Sequence, residues 1–133
     1  MRYMLDTNVC IDYMRGTDNN IKSNIIKSKN DELCISSITL SELLYGINKS
    51  SDPQRKRNIL YSLLVKLEVL DYGSEASEYY GFIRNNLSME GSVIGSLDML
   101  IAAHALSEGL TLVTHNTAEF KRIKGLEVVD CHG

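Results

Sequence analysis

The sequence predicts an α/β domain built on a short parallel sheet covered by helices on both faces. Apolar, β-rich runs alternate with helical patterns along nearly the whole chain, and the run 110–114 (LTLVT) is the clearest strand. With 133 residues, 44% of them hydrophobic, the chain can bury an ordinary core without disulfides or structural metals. We therefore expect one domain over residues 1–133.

Local patterns divide the first half of the chain into elements. Tyr3–Leu5 is a short apolar run, and Asp6 and Asn8 favour the cap of the helix that follows. Thr39 and Glu42 have the spacing of a capping box, which predicts that another helix begins there. The other expected elements are a helix over 21–29, a strand over 33–38, a helix over 54–66 and a strand over 67–70.

The same alternation continues in the second half. Ser96 can cap a helix over 97–107, and Gly109 is well placed just beyond the end of that helix. The other expected elements are a helix over 74–90, the strand over 110–114, a helical turn over 115–123 and a last strand over 126–129.

Charge and cysteine content narrow the function classes only slightly. The net charge of −3 does not indicate nucleic-acid binding, so basic residues that contact a polyanion would have to be local. The three cysteines form no CxxC pair, and Cys10 and Cys34 lie in apolar runs, which is typical of buried thiols in a reducing compartment. Because we find neither a signal peptide nor a membrane-length apolar run, we expect a soluble cytoplasmic protein without a membrane partner.

Four acidic residues fall at positions where they could meet. Asp6, Glu42 and Glu119 each follow a predicted strand, and such junctions share the carboxyl edge of a parallel sheet, where open α/β folds bind ligands. Asp98 lies in the first turn of its helix and can join them only if that helix also begins at this edge.

Each acid also has a purely structural interpretation, because a carboxylate in a first helical turn complements the helix dipole by about 0.3–1 kcal/mol. Carboxylates gathered in one cleft repel one another, however, and a cation relieves the repulsion. Oxygen ligands suit Mg²⁺ or Mn²⁺, and the three histidines lack the spacing of a zinc site. Without a nucleotide-binding glycine loop, this combination favours phosphoryl chemistry on a bound phosphate ester.

Several other polar residues keep two interpretations. Thr7 and Asn8 either order waters around a metal or only cap the helix. His115 either faces substrate or lies on the surface, and His104 is packed or exposed without a function. Asp12 is expected to be solvated, because its spacing from Asp6 puts it on another helical face.

Two basic clusters could contact phosphates. One is the run 55–57 (RKR), and the other is Lys121 and Arg122 with Lys124. The second cluster is the better candidate for RNA contacts because it adjoins the expected site, although such clusters are often only solvated surface.

Four blocks of the sequence carry a family resemblance. They are MLDTN at 4–8, ISSITLSELLYG at 35–46, LDMLIAAHA at 97–105 and LVTHNTAEF at 112–120. In content, order and spacing these blocks resemble those of PIN-domain ribonucleases, and more narrowly the VapC toxins of bacterial type II toxin–antitoxin systems. The similarity spans nearly the whole chain.

The resemblance implies a PIN-like three-layer α/β/α sandwich in which Asp6, Glu42 and Asp98 hold Mg²⁺, with Mn²⁺ as a possible substitute. Many relatives have an aspartate where this chain has Asn116, so either Asn116 or Glu119 completes the site. We favour Glu119 acting through water, with Asn116 as a polar residue nearby.

The resemblance also implies an activity and partners. Such toxins are endoribonucleases that cut structured RNA, often tRNA in the anticodon stem-loop, initiator tRNA included, and thereby stop translation. They pair as homodimers and are silenced by an antitoxin, through which alone they would meet DNA. A helix around 59–67 could line the groove for the antitoxin tail.

Two rival functions are compatible with a small acidic α/β domain. A receiver domain needs paired acids after its first strand, whereas here Thr7 and Asn8 follow Asp6. A PIN-like fold kept only for binding has no need of acids that repel one another, which argues against this second rival.

Overall fold

The computed structural model describes residues 2–16 and 32–131, which form a parallel sheet flanked by helices. The strands are β1 (Tyr3–Leu5), β2 (Leu33–Ser36), β3 (Glu68–Leu70), β4 (Thr111–Thr114) and β5 (Val128–Asp130). The helices are α1 (Thr7–Arg15), α2 (Ser37–Asn48), α3 (Pro53–Leu64), α4 (Ser74–Met89), α5 (Ser96–Ser107) and α6 (Thr117–Phe120). The helix expected over 21–29 lies outside the described residues.

The sheet has the strand order β3-β2-β1-β4-β5, and every neighbouring pair is parallel. The first strand is therefore central, with Met4 opposite Cys34 on one side and Leu112 on the other. The sequence predicted this α/β class correctly.

Helices cover both faces of the sheet because successive strand residues point to opposite sides. Met4 packs in a core that contains Ile101 of α5, while its neighbour Leu5 packs in a second core that contains Leu60 of α3. Each core fills the space between the sheet and one layer of helices. The predicted three-layer sandwich is thus confirmed.

Two predicted helix starts are wrong. Ser36 caps α2, since its hydroxyl accepts from the Ile38 amide at 3.1 Å, so β2 ends earlier than expected. Thr39 is fully buried inside the helix, and Glu42 lies in the second turn instead of the first. Gly95, not Ser96, is the cap of α5.

The remaining expected elements are present with their ends shifted by a few residues. Gly109 lies just beyond α5 with φ +67°, a conformation that glycine adopts without strain, as its position in the sequence predicted. Cys10 and Cys34 are fully buried, also as predicted. Over residues 2–16 and 32–131, no helix is long and apolar enough to cross a membrane.

Candidate active site

Asp6 lies where β1 ends and α1 begins, at the carboxyl edge of the sheet. Its amide donates to the Val113 carbonyl at 2.9 Å, which continues the pairing of β1 with β4 for one more residue. Its Oδ1 accepts from the Thr7 amide at 2.8 Å and caps the helix. The residue is only 3% exposed, so this carboxylate is fixed in a largely dry position.

Thr114, the last residue of β4, fixes the second oxygen of Asp6. Its hydroxyl donates to Asp6 Oδ2 at 2.8 Å and accepts from the Asn116 amide at 3.0 Å. Thr114 is completely buried, so water does not compete for this hydrogen bond. Both carboxylate oxygens of Asp6 are therefore oriented by neighbouring groups.

Thr7 performs the corresponding role for Glu42. Its hydroxyl lies 2.8 Å from Glu42 Oε1 and 3.2 Å from the hydroxyl of Thr39. One hydroxyl has one proton to donate, so the Thr7 proton goes to the carboxylate and Thr39 donates to Thr7. The helix cap is Asp6 rather than the Thr7 side chain, whose hydroxyl instead orients Glu42. That Thr7 orders waters around a metal remains a prediction.

Asp98 reaches the same edge because of how α5 is connected to β4. The Leu110 amide donates to the Ala105 carbonyl at 2.9 Å, so the chain turns directly from the end of α5 into β4. Since β4 begins at the amino edge of the sheet, α5 must begin near the carboxyl edge. The condition that the sequence left open for Asp98 is met.

The four acids act on one another electrostatically. Burial raises the pKa of Asp98 to about 7, together with the negative charges of Asp6, Glu119 and Glu42. Glu119 therefore acts on Asp98 through its charge and its close approach. Asp6, Glu42 and Glu119 thus lie close enough to Asp98 for their charges to raise its pKa.

Asp6 also has a raised pKa, chiefly because it is buried. Hydrogen bonds from Thr114 and Thr7 act in the opposite direction, because they stabilise the charged form. The negative charge of Glu119 raises the pKa further, and His115 lowers it.

The donor chemistry of this cluster fits a hard divalent cation. All of the donors are carboxylate or hydroxyl oxygens, which Mg²⁺ and Mn²⁺ prefer, and a cation would relieve the repulsion that raises the pKa of Asp98. In the described part of the chain, no three acidic, histidine or cysteine side chains already have the geometry to hold one ion.

The other predicted site residues lie around this cluster with less contact to it. Asn8 and Asn116 are exposed. Asn116 contacts the cluster through its backbone amide, which donates a hydrogen bond to the Thr114 hydroxyl. Lys121 and Arg122 are exposed directly after α6, the short helix that bears Glu119.

The structure corrects the prediction for Asp12 and pairs this residue with His115. Asp12 is half-buried and its carboxylate contacts His115 Nε2, while Cys131 Sγ lies 2.8 Å from His115 Nδ1. Asp12 is therefore not simply solvated. His104 is packed: it is 1% exposed, and its Nδ1 lies 2.7 Å from the Ser36 hydroxyl.

Comparison with known proteins places this geometry in a family. Residues 3–126 match the PIN domain. The chain is 42% identical over 127 residues to Ribonuclease VapC2 of Rickettsia felis, with 95% of each chain covered. This chain belongs to the PIN-domain family, in its VapC branch. The PIN domain is also 41% identical over 130 residues to the tRNA(fMet)-specific endonuclease VapC of Salmonella typhimurium, with 98% of each chain covered.

The fold of this PIN domain agrees with that of solved relatives. The crystal structure of DNA bound VapBC from Salmonella typhimurium contains a chain that matches it with a TM-score of 0.92. That chain is 40% identical, and the match covers 98% of both.

Sequence reasoning missed two polar residues of the PIN-domain site. Thr39 and Thr114 are buried hydroxyl-bearing residues that contact Thr7 and Asp6. Thr114 is the last residue of the clearest predicted strand, at the carboxyl edge of the sheet. A polar residue at that position could have indicated a role in the site.

Proposed function

We propose that this PIN domain is the toxin of a type II toxin–antitoxin system and a metal-dependent endoribonuclease. Asp6, Glu42 and Asp98 would hold Mg²⁺, with Mn²⁺ as a substitute, and Glu119 would complete the site through water. The observation that carries the proposal is the convergence of acids from distant parts of the chain. Thr7, next to Asp6, hydrogen bonds with Glu42, and Asp98 is close enough to Asp6, Glu42 and Glu119 for their charges to raise its pKa. Carboxylates gathered in this way are typical of a site built for a cation.

Each residue then has a definite task. Thr114 and Thr7 hold the carboxylates of Asp6 and Glu42 in fixed orientations, so little reorganisation is needed when an ion binds. Glu119 lies close enough to Asp98 to raise its pKa, so it is placed to order a water beside a cation held by Asp98. A bound divalent cation would supply Lewis-acid stabilisation of the charge that develops on the phosphodiester and would lower the pKa of a water.

RNA is the substrate class we propose, with a tRNA, the initiator tRNA included, as the first candidate. The Salmonella relative is named a tRNA(fMet)-specific endonuclease, and the present chain matches it over 98% of its length. Lys121 and Arg122 are exposed beside Glu119 and would contact the phosphate backbone.

The proposed partners are an antitoxin and a second copy of this chain. The Salmonella neighbour is a VapBC structure with DNA bound, and we expect this protein to meet DNA only through such a partner. Tyr61 and Val65, at the end of α3, are 51% and 79% exposed. They lie in the stretch 59–67 and would form part of the apolar groove for the antitoxin.

Cleavage of a defined tRNA with and without chelator tests the enzyme proposal. We expect Mg²⁺-dependent cleavage that EDTA abolishes, with 5′-phosphate product ends. Asp6→Asn should lower the rate by about a thousandfold or more, because it removes a charge that the bound ion needs. The matched control is Asp71→Asn, which removes an exposed carboxylate elsewhere on the surface and should leave the rate unchanged.

Two results would contradict the proposal. One is cleavage that survives both EDTA and Asp6→Asn, and the other is a product with a 2′,3′-cyclic phosphate, which indicates attack by the 2′ hydroxyl. Binding of tRNA without any cleavage by the purified protein would instead favour a binding module.

A further inference from the structure

A second polar cluster joins three elements of the fold, and it reaches the acidic site through the charge of His115, which acts on Asp6. It consists of Asp12 on α1, His115 directly after β4 and Cys131 directly after β5. The Asp12 carboxylate contacts His115 Nε2, and Cys131 Sγ lies 2.8 Å from Nδ1 and 3.6 Å from Nε2. We refer to these three residues as the thiol cluster.

The contacts assign the protons of the thiol cluster. Asp12 as a carboxylate accepts from Nε2–H, which leaves Nδ1 as the ring nitrogen that can take a proton. Cys131 Sγ lies beside the ring, close to Nδ1 but also 3.6 Å from Nε2, so transfer of the thiol proton to Nδ1 requires a rotation that brings the thiol into the ring plane. The transfer produces a thiolate beside an imidazolium, whose charge the Asp12 carboxylate stabilises. Asp130 acts in the opposite direction. Its Oδ1 lies 3.8 Å from Cys131 Sγ, and a negative charge there disfavours the thiolate. The imidazole is closer to the sulfur by about 1 Å, so its effect is the larger.

The other two cysteines provide a contrast within the same chain. Cys10 and Cys34 are both completely buried, and burial raises the pKa of each thiol, that of Cys34 to about 11. The charge of Asp6 raises the pKa of Cys10 further. Neither is in an environment that favours the thiolate.

A shared metal ion does not explain the thiol cluster. Asp12 and Cys131 approach His115 at different ring nitrogens, so one ion cannot be bound by all three residues through a single nitrogen. Within residues 2–16 and 32–131, no metal-ligating group of three is formed. The arrangement is instead that of a thiol, a base and a group that orients the base.

We propose that Cys131 is a reactive thiol and that small hydroperoxides oxidise it to a sulfenic acid. The Cys131 thiolate attacks the terminal hydroxyl oxygen of the hydroperoxide, an S–O bond forms and the O–O bond breaks. The leaving alkoxide, or hydroxide from hydrogen peroxide, takes the proton from His115 Nδ1 and departs as an alcohol or water. The two electrons come from sulfur, so the thiol is oxidised and the peroxide is reduced.

The partners of the sulfur are more exposed than the sulfur itself. Cys131 itself is 6% exposed, but the side chains of His115 and Asp12 are each 29% exposed. A small reagent can therefore approach beside the imidazole, whereas a large one is excluded. This proposal does not depend on the nuclease function.

Alkylation of the full-length reduced protein with iodoacetamide, resolved by peptide mass spectrometry, tests the reactivity. At pH 7 we expect Cys131 to react at least about tenfold faster than Cys34 or Cys10. The rate should persist below pH 7, whereas an ordinary thiol with a pKa of about 8.5 loses roughly tenfold per pH unit there. Hydrogen peroxide followed by dimedone should label Cys131, and Cys131→Ser should abolish that adduct.

His115→Gln separates activation from mere exposure. It should lower the alkylation rate of Cys131 at pH 7 by about fivefold or more, while Asp12→Asn should lower it less. Cys10 and Cys34 report on folding in each variant, because they react only if the core opens. Should His115→Gln unfold the protein, the pH profile of the wild-type protein decides. The proposal is overturned if Cys131 reacts no faster than the buried cysteines, if its rate follows an ordinary thiol profile, or if a folded His115→Gln variant reacts unchanged.

Discussion

At the residue scale, buried hydroxyl groups fix the orientation of two carboxylates of the acidic site. Thr114 and Thr7 each donate to a carboxylate at 2.8 Å, and each is buried. A charge-assisted hydrogen bond in a dry environment is stronger than one in water, and it fixes the orientation of the acceptor. Asp6 and Glu42 are therefore positioned by neutral partners that leave the negative charge of the site intact.

Thr114→Val tests this positioning role. The substitution preserves shape but removes the hydroxyl that donates to Asp6, so we expect RNA cleavage to fall by about tenfold to a hundredfold. The Mg²⁺ concentration for half-maximal activity should rise as well. Thr114→Ser is the control and should retain most activity, because it keeps the donor. Equal activity of the valine and wild-type proteins would show that the hydrogen bond is dispensable.

The raised pKa of Asp98 implies that this residue lowers the stability of the ion-free protein at high pH while it serves ion binding. Its pKa, raised to about 7, means that it is protonated in the folded state below that pH, and that folding forces an unfavourable charge on it above. Its contribution to stability is therefore lost as the pH rises from about 4, the usual pKa of an aspartate, through 7.

Asp98→Asn should relieve that repulsion. At pH 8 with EDTA we expect the variant to be more stable than the wild-type protein by about 1–2 kcal/mol, seen as a rise in Tm of a few degrees. Added Mg²⁺ should raise the Tm of the wild-type protein and have little effect on the variant, which should not cleave RNA. A variant that is less stable than wild type at pH 8 would contradict the electrostatic argument.

At the scale of elements, Ser36 connects the sheet with two helices. Its hydroxyl accepts from the Ile38 amide at the start of α2 and lies 2.7 Å from His104 Nδ1 on α5. His104 is 1% exposed and lies edge-on to the Tyr72 ring at 5.5 Å, and none of the residues in 2–16 and 32–131 hydrogen bonds with its Nε2. The beginning of α2, which carries Glu42, is thus tied to the helix that carries Asp98.

Ser36→Ala removes only one hydroxyl group but should lower the stability of the protein substantially. It removes a helix cap and leaves a buried imidazole nitrogen without its partner, so we expect a loss of about 2–3 kcal/mol in the free energy of unfolding. Ser41→Ala is the matched control: that hydroxyl donates to the Ser37 carbonyl at 3.0 Å on the exposed side of the same helix, and its loss should cost under about 0.5 kcal/mol. Similar losses in urea unfolding for both variants would refute the connecting role of Ser36.

The contribution of His104 to the stability of the protein depends on pH. Burial lowers the pKa of the imidazole, while the charges of Glu108 and Asp71 act weakly in the opposite direction. The unfolded chain therefore takes up a proton near pH 6.5 when the folded protein does not, so the His104 contribution to stability is lost as the pH falls below about 6.5.

His104→Gln should remove that dependence. Asp98 changes stability in the opposite direction over part of this range, so the informative quantity is the difference between wild type and variant. We expect the stability advantage of the wild-type protein to shrink between pH 7.5 and pH 5, as measured by urea unfolding. A difference that stays constant with pH would mean that His104 does not titrate as proposed.

At the scale of the whole molecule, an acidic protein has to bind a polyanion locally. The net charge is −3, yet Lys121 and Arg122 are exposed beside the acidic site. We expect Lys121→Gln combined with Arg122→Gln to weaken tRNA cleavage by about tenfold at low salt and to reduce the dependence on salt concentration.

Lys49→Gln combined with Lys66→Gln is the matched control for that experiment. It removes the same charge from other parts of the surface and should change cleavage less than about threefold. Equal effects from both pairs would mean that net charge, rather than a local contact surface, governs RNA binding.

The sequence alone determined the fold class and the chemical type of the site. Strands and helices alternate clearly enough to predict the parallel sheet, and Asp6 follows β1 so directly that its position at the carboxyl edge is unavoidable. The first helical turns of α5 and α6 also contain Asp98 and Glu119 as predicted. These features are local, so local patterns reveal them.

Only the tertiary structure decided which groups orient the acids and which polar residues pair. Thr39, Thr114 and the thiol cluster depend on contacts between residues far apart in the chain, such as Asp12 with His115. The start of α2 was mispredicted for the same reason. Ser36 and Thr39 are both good caps, and Ser36 is the cap in a fold where its hydroxyl also lies beside His104, 68 positions further along the chain. Packing chooses between local options of similar free energy, and the local sequence does not contain that information.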